Sequence, residues 1–132
     1  MVTESERRQV RMRAGDRCEY CHLPQAGHDE RFSVDHVIAR KHGGADGTDN
    51  LAFCCLRCNL HKGTDLTGIA PDSGEVVLLF HPRRDRLEEH FEFVGATIRG
   101  RTAIGATTVR LLQVNAPEHV RLRESLQLEG LL

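Results

Sequence analysis

The chain lacks any apolar run approaching the length of a membrane span. Its first twenty residues are strongly charged, which is unlike a signal peptide. These absences set the expectation of a cytoplasmic protein with no membrane partner. Net charge is also missing, with 18 Lys and Arg against 19 Asp and Glu, so charge balance alone makes no case for a nucleic-acid partner. There is no internal repeat and no low-complexity segment. Large apolar side chains are scarce between residues 14 and 50. A chain of 132 residues predicts one domain, able to bury roughly two thirds of the surface it exposes unfolded. The front stretch, however, is too polar to hold together by packing alone.

What is present is locally patterned. Five arginines fall between Arg7 and Arg17, and smaller clusters occur at 82–86 ("PRRDR") and 99–101 ("RGR"). Taken singly, such clusters read as solvated faces. Thr3 and Glu6 have capping-box spacing at the head of a charged helix that Gly15 can end. "RFSVDHVIA" predicts a first strand, the Gly- and Asp-rich "RKHGGADGTDN" a loop, "LAFCC" a second strand, and "LRCNLHKGTDL" a helix crossing back. Further on, the pattern predicts a strand at "EVVLLF" and a short helix followed by a strand over "RRDRLEEHFEF". "TAIGATTVRLLQV" reads as a helix interrupted at Gly105. Asn115 and Glu118 have capping-box spacing, with Pro117 in the first turn of a terminal helix.

The strongest signal is the cysteines. Cys18 and Cys21 form one C-x-x-C pair and Cys55 and Cys58 a second. In a reducing compartment two such pairs argue for a metal rather than disulfides. Four thiolates complete a closed tetrahedral zinc site of the structural kind. Cys54 has poorer spacing to Cys58 and reads as a small buried core residue. The Cys and His spacings provide no second closed set, which argues against a two-zinc protein-interaction module. Zinc would clamp the polar front half and tether the segment that carries Asp35, His36 and Asn50.

That segment, "VDHVIARKHGGADGTDNLAFCCLRCNLHKG", resembles the HNH endonucleases of the ββα-metal (His-Me finger) group. The shared features are the Asp-His pair, the Gly-Gly loop, the Asn-Leu step and C-x-x-C-N-x-x-K-G. The specific resemblance runs from about Cys18 to Gly63, and the C-terminal tail is similar to that of small stand-alone bacterial HNH proteins. It implies an α+β fold: a zinc-clamped, treble-clef-like ββα core over about 15–66, with a C-terminal α/β extension over about 67–132 ending in helices.

Residue by residue, the resemblance implies that His36 is the general base and Asn50 the residue that fixes the loop and the orientation of that base. Asp35 matches a carboxylate metal ligand. Asn59 stands where many members carry a third histidine, making this an H-N-N variant with Asp35 and Asn59 on a catalytic cation. His61 is two residues beyond Asn59, about 200° around a helix, and cannot simply replace it. Lys62, together with Arg40, Lys41 and His42, is expected to contact phosphates of double-stranded DNA.

These residue types suit phosphodiester hydrolysis. Imidazole ordinarily titrates near neutrality and can accept a proton from water. Oxygen ligands with open positions suit Mg²⁺ or Mn²⁺ better than zinc. Adjacent residues on a strand point to opposite faces, so His36 would address the water and Asp35 the leaving-group side. The residues leave a second reading open: a zinc-stabilised nucleic-acid-binding module without catalysis.

Overall fold

The structure, a computed structural model, describes residues 2–132. It is mixed α and β, and its contacts divide the chain into two compact units where the sequence reading has one domain with an extension. One unit runs to Thr64 and takes in His81–Arg84; the other comprises Asp65–Phe80 and Asp85–Leu132. No helix among the described residues is long and apolar enough to cross a membrane.

The first unit opens with helix α1, Glu4–Arg13. Its capping box closes in both directions: Glu6 N donates to Thr3 Oγ1 at 3.1 Å and Thr3 N to Glu6 Oε1 at 3.0 Å. Gly15, just beyond the cap, takes the left-handed conformation that lets the chain leave the helix. Strands β1 (Ser33–His36) and β2 (Leu51–Cys54) pair antiparallel, with His36 opposite Leu51 and Asp35 opposite Ala52. The first strand is shorter than the apolar pattern predicts. Beyond His36 the chain turns into the loop, although Val37 N still donates to Asn50 O at 2.8 Å. All four residues of β2 are buried, and Phe53 packs against Phe32 with ring centroids 5.4 Å apart.

Helix α2 covers Leu56–Lys62 and packs against β1, completing a ββα element. It ends earlier than expected, because Gly63 reverses the chain at φ +51°. Arginines of α1 bind the sheet through its carbonyls: Arg13 Nη2 donates to Leu51 O at 2.8 Å and Arg7 Nη2 to Phe32 O at 3.1 Å. These bonds add to the apolar packing of Val10, Phe32, Val34 and Phe53 about the sheet.

The second unit holds two antiparallel hairpins, β3–β4 (Thr67–Ile69, Val76–Leu78) and β5–β6 (Phe91–Val94, Thr97–Gly100), with the short helix α3 (Leu87–His90) before β5. Helices α4 (Ala103–Leu112) and α5 (Pro117–Leu128) end the fold. Two expectations need correction. Gly105 does not interrupt α4: it is where the helix meets another backbone, since a Cβ there would lie 2.0 Å from His90 O. Asn115 does not cap α5, whose N-cap is Ala116. Its amide instead closes on Ile98, accepting from Ile98 N at 2.9 Å and donating to Ile98 O at 2.8 Å. Strands β3 and β6 carry no alternation strong enough to have been anticipated.

Candidate active site

The four cysteines expected to bind zinc come together. The sulfurs of Cys18, Cys21, Cys55 and Cys58 all lie within 4.8 Å of one another, and all four residues are buried. Tetrahedral zinc with bonds of about 2.3 Å needs sulfurs about 3.8 Å apart; Cys21 Sγ and Cys55 Sγ are 3.6 Å apart. The donor set therefore fits zinc in both chemistry and spacing. Each knuckle aims backbone N–H groups at sulfur: Tyr20 N and Cys21 N approach Cys18 Sγ at 3.5 Å, and Cys58 N approaches Cys55 Sγ, the N-cap of α2, at 3.4 Å. Such donors favour thiolate. Hydrogen bonds from the neighbouring thiols hold the Cys55 thiol far below its ordinary range. The first knuckle is tied to β2 through Glu19, whose backbone N donates to Phe53 O at 2.9 Å and whose Oε2 accepts from Phe53 N at 2.8 Å.

Cys54 is buried, as its spacing implied. Burial pushes its thiol well up, and the protonated sulfur donates to Asp35 Oδ2 at 3.5 Å. It is therefore also a neighbour of the candidate site, a role that its spacing did not signal.

Asn50 pins the loop after β1. Its Oδ1 accepts from Ile38 N at 3.0 Å, and its Nδ2 donates to Ile38 O at 2.9 Å and Ala45 O at 2.7 Å. Three bonds from one buried amide make a closed loop out of a polar segment. The loop is tight enough that a Cβ at Gly44 would lie 1.7 Å from Ile38 O, so only glycine fits.

His36 is held by a residue that sequence reasoning missed. Its Nε2 lies 3.0 Å from Asp46 Oδ1, and Arg40 Nε donates to the same oxygen at 2.7 Å. These two hydrogen bonds hold the Asp46 carboxyl below its ordinary range. An ionised carboxylate can only accept, so a neutral ring must carry its proton on Nε2, leaving the Nδ1 lone pair open. Nothing in the spacing of "GGADGTDN" distinguishes Asp46 from Asp49, so the loop's closure alone identifies it.

Asp35 is more than half buried. Burial raises its carboxyl above the ordinary range even though the Cys54 thiol, Lys62, His36 and Arg7 all favour the charged form. Lys62, expected at a phosphate, is buried, and its Nζ donates to Val37 O at 2.7 Å. As placed, it supports the turn after β1 and the charge of Asp35. Arg40 is exposed but engaged with Asp46, whereas Lys41 and His42 are exposed on the same 3-10 turn. Asn59 is half-buried on α2, one turn before Lys62, and its side-chain amide has no hydrogen-bond partner among the described residues. No hydrogen bond among the described residues joins Asp35, His36 and Asn59 to one another. Asp35 accepts from the Cys54 thiol while His36 bonds Asp46, so adjacent side chains have different hydrogen-bond partners.

Residues 18–65 match the model of the HNH endonuclease family. That segment spans both cysteine knuckles, β1, the Asn50 loop, β2 and α2. No curated protein and no solved structure matches the chain.

Proposed function

From the HNH endonuclease domain that residues 18–65 carry as premise, we propose that this protein is a metal-dependent endonuclease hydrolysing phosphodiester bonds of double-stranded DNA. The observation that carries the reading is the state of His36: its Nε2 is anchored on the ionised Asp46, and its Nδ1 has no protein partner among the described residues. An imidazole oriented in this way by a carboxylate accepts a proton at Nδ1 from an approaching water. Asp46 holds the ring in place and steadies the positive charge that it gains. Asn50 keeps the loop closed, so the Asp46 carboxylate stays where the ring needs it.

Asp35 and Asn59 supply oxygen ligands suited to Mg²⁺ or Mn²⁺, the first a partly buried carboxylate and the second an amide whose side chain has no hydrogen-bond partner among the described residues. A divalent cation there would supply charge neutralisation at the phosphate and at the departing oxyanion. Zinc on the four cysteines would be structural, with no open position. Lys41 and His42 are exposed beside Arg40, which supports their contact with the strand's phosphates.

The test is nicking of supercoiled plasmid with Mg²⁺ or Mn²⁺. Wild type is expected to cut, and His36→Ala to lose about 10²- to 10⁴-fold in rate with its thermal transition intact. Equal rates in the two proteins would refute the assignment of the base. A wild type that binds duplex but never cuts would favour the non-catalytic binding module.

A further inference from the structure

A cavity of about 400 Å³ opens on the first unit, and its lining includes Gly43, Gly44, Asp49, Asn50, Arg83 and Arg84. Its size lies in the range of pockets that hold small ligands, about 300–1,000 Å³. There is room for more than a lone ion. One wall is the loop that orients His36: Asn50 closes it, and Asp46, which takes the His36 Nε2, follows the lining residue Ala45. That wall is stripped of side chains, since Gly44 can carry none and the space beside Gly43 is open.

The cationic part of the lining, Arg83 and Arg84, comes from "HPRR", which the chain returns to the first unit after residues of the second. Arg83 is largely buried; one of its terminal nitrogens pairs with Glu19, and the other, Nη1, is buried with no partner among the described residues. An unsatisfied buried guanidinium nitrogen is costly and calls for an explanation. Burial and the nearby Arg13 pull the Arg83 guanidinium down to about 10, so it is a charged group in a place that disfavours its charge. Arg84 is exposed at the same cavity. Against these cations stand Glu19, already engaged, and Asp49. An anion in the cavity would offset a cost that the protein otherwise carries.

We propose that this cavity seats a backbone phosphate of the bound nucleic-acid strand, away from the bond that is cut, with the guanidinium groups of Arg83 and Arg84 as its cationic partners. The identity of the strand rests on the nuclease reading above; the anion site itself does not. The site gives the HPRR segment a role that the ββα core does not supply: it fixes the register of the strand against the His36 loop, as phosphate contacts do elsewhere.

The experiment is fluorescence anisotropy of a short labelled duplex without added divalent cation, so that no cleavage occurs, over a salt titration. Arg84→Ala and Arg84→Glu change an exposed side chain; Arg83→Lys keeps a cation opposite Glu19 and guards against a folding failure. Arg84→Glu is expected to weaken binding roughly tenfold or more, and Arg84→Ala to lower the slope of log K against log salt by about 0.9, the signature of one lost phosphate contact. Thermal transitions should stay in place. Unchanged affinity and slope in folded Arg84 variants would overturn the proposal. If those variants bind like wild type while cleavage still depends on His36, the cavity assignment falls and the nuclease reading stands. If binding depends on Arg84 but no cleavage is seen, the cavity stands on a non-catalytic binder.

Discussion

The two units solve the problem of folding a short chain with different materials. The first buries Val10, Leu23, Phe32, Val34, Leu51 and Phe53, and adds to that core four sulfurs and side chains bonded to carbonyls. The second packs Leu79, Phe80, Phe91, Ile98, Leu112 and Leu126. Its main polar device is a single fully buried arginine. Arg123 Nε donates to Ala96 O at 2.7 Å, and its Nη2 to Val114 O at 2.6 Å and Asn115 Oδ1 at 3.0 Å. The four-cysteine cluster frees β1 and its loop to carry Asp35, His36 and Asp46.

The contrast is broken most forcefully at the cysteines. Structural zinc supplies on the order of 10 kcal/mol in small modules, so Cys58→Ser should abolish bound zinc and the protection of β1, β2 and α2 amides. The amides of α4 and α5 should stay protected in hydrogen exchange. A variant that keeps both its zinc and its β1 protection would show that the first unit packs on its own. Arg123→Ala is the mirror experiment: each neutral acceptor left buried and unsatisfied should cost about 1–3 kcal/mol, read as a lower melting temperature of the second unit at unchanged zinc content.

A smaller effect separates stability from function inside the first unit. The folded-state pKa of Asp35 is raised by burial. Its charged form is therefore disfavoured relative to the unfolded chain, and the penalty is present at neutral pH and fades as pH falls through the raised value. Asp35→Asn should accordingly leave the melting temperature at pH 7 unchanged or slightly higher while cleavage is lost. A clear fall in stability would mean that Asp35 is held for structure, by Lys62 and the Cys54 thiol, rather than for a cation.

Much of this was legible in the sequence wherever chemistry repeats at a fixed spacing. The C-x-x-C pairs specify their own cluster, because each knuckle is local and only the joining is long-range. The ββα order followed from the Gly-Gly loop between two apolar runs. What stayed hidden depended on where a loop closes. Asp46 reaches His36 across ten residues of turn, and Arg83 meets Glu19 across 64 positions, so no periodicity could mark either. Helical spacing puts Lys62 near the ligand face without revealing that its amine is buried on Val37 O. Asn115 had the right spacing for a cap but found better partners in Ile98, and Gly105 was a packing contact that looked like a break.

On the proposed function, folding and chemistry rest on separate metals at separate residues. The most direct measurement follows zinc content and plasmid cleavage on the same sample, first after mild chelation and then on adding Mg²⁺ or Mn²⁺. The expected result is a protein that keeps its zinc, cuts nothing after chelation, and regains cleavage with Mg²⁺ or Mn²⁺ alone. Cleavage that tracks zinc occupancy and ignores the added cation would contradict it.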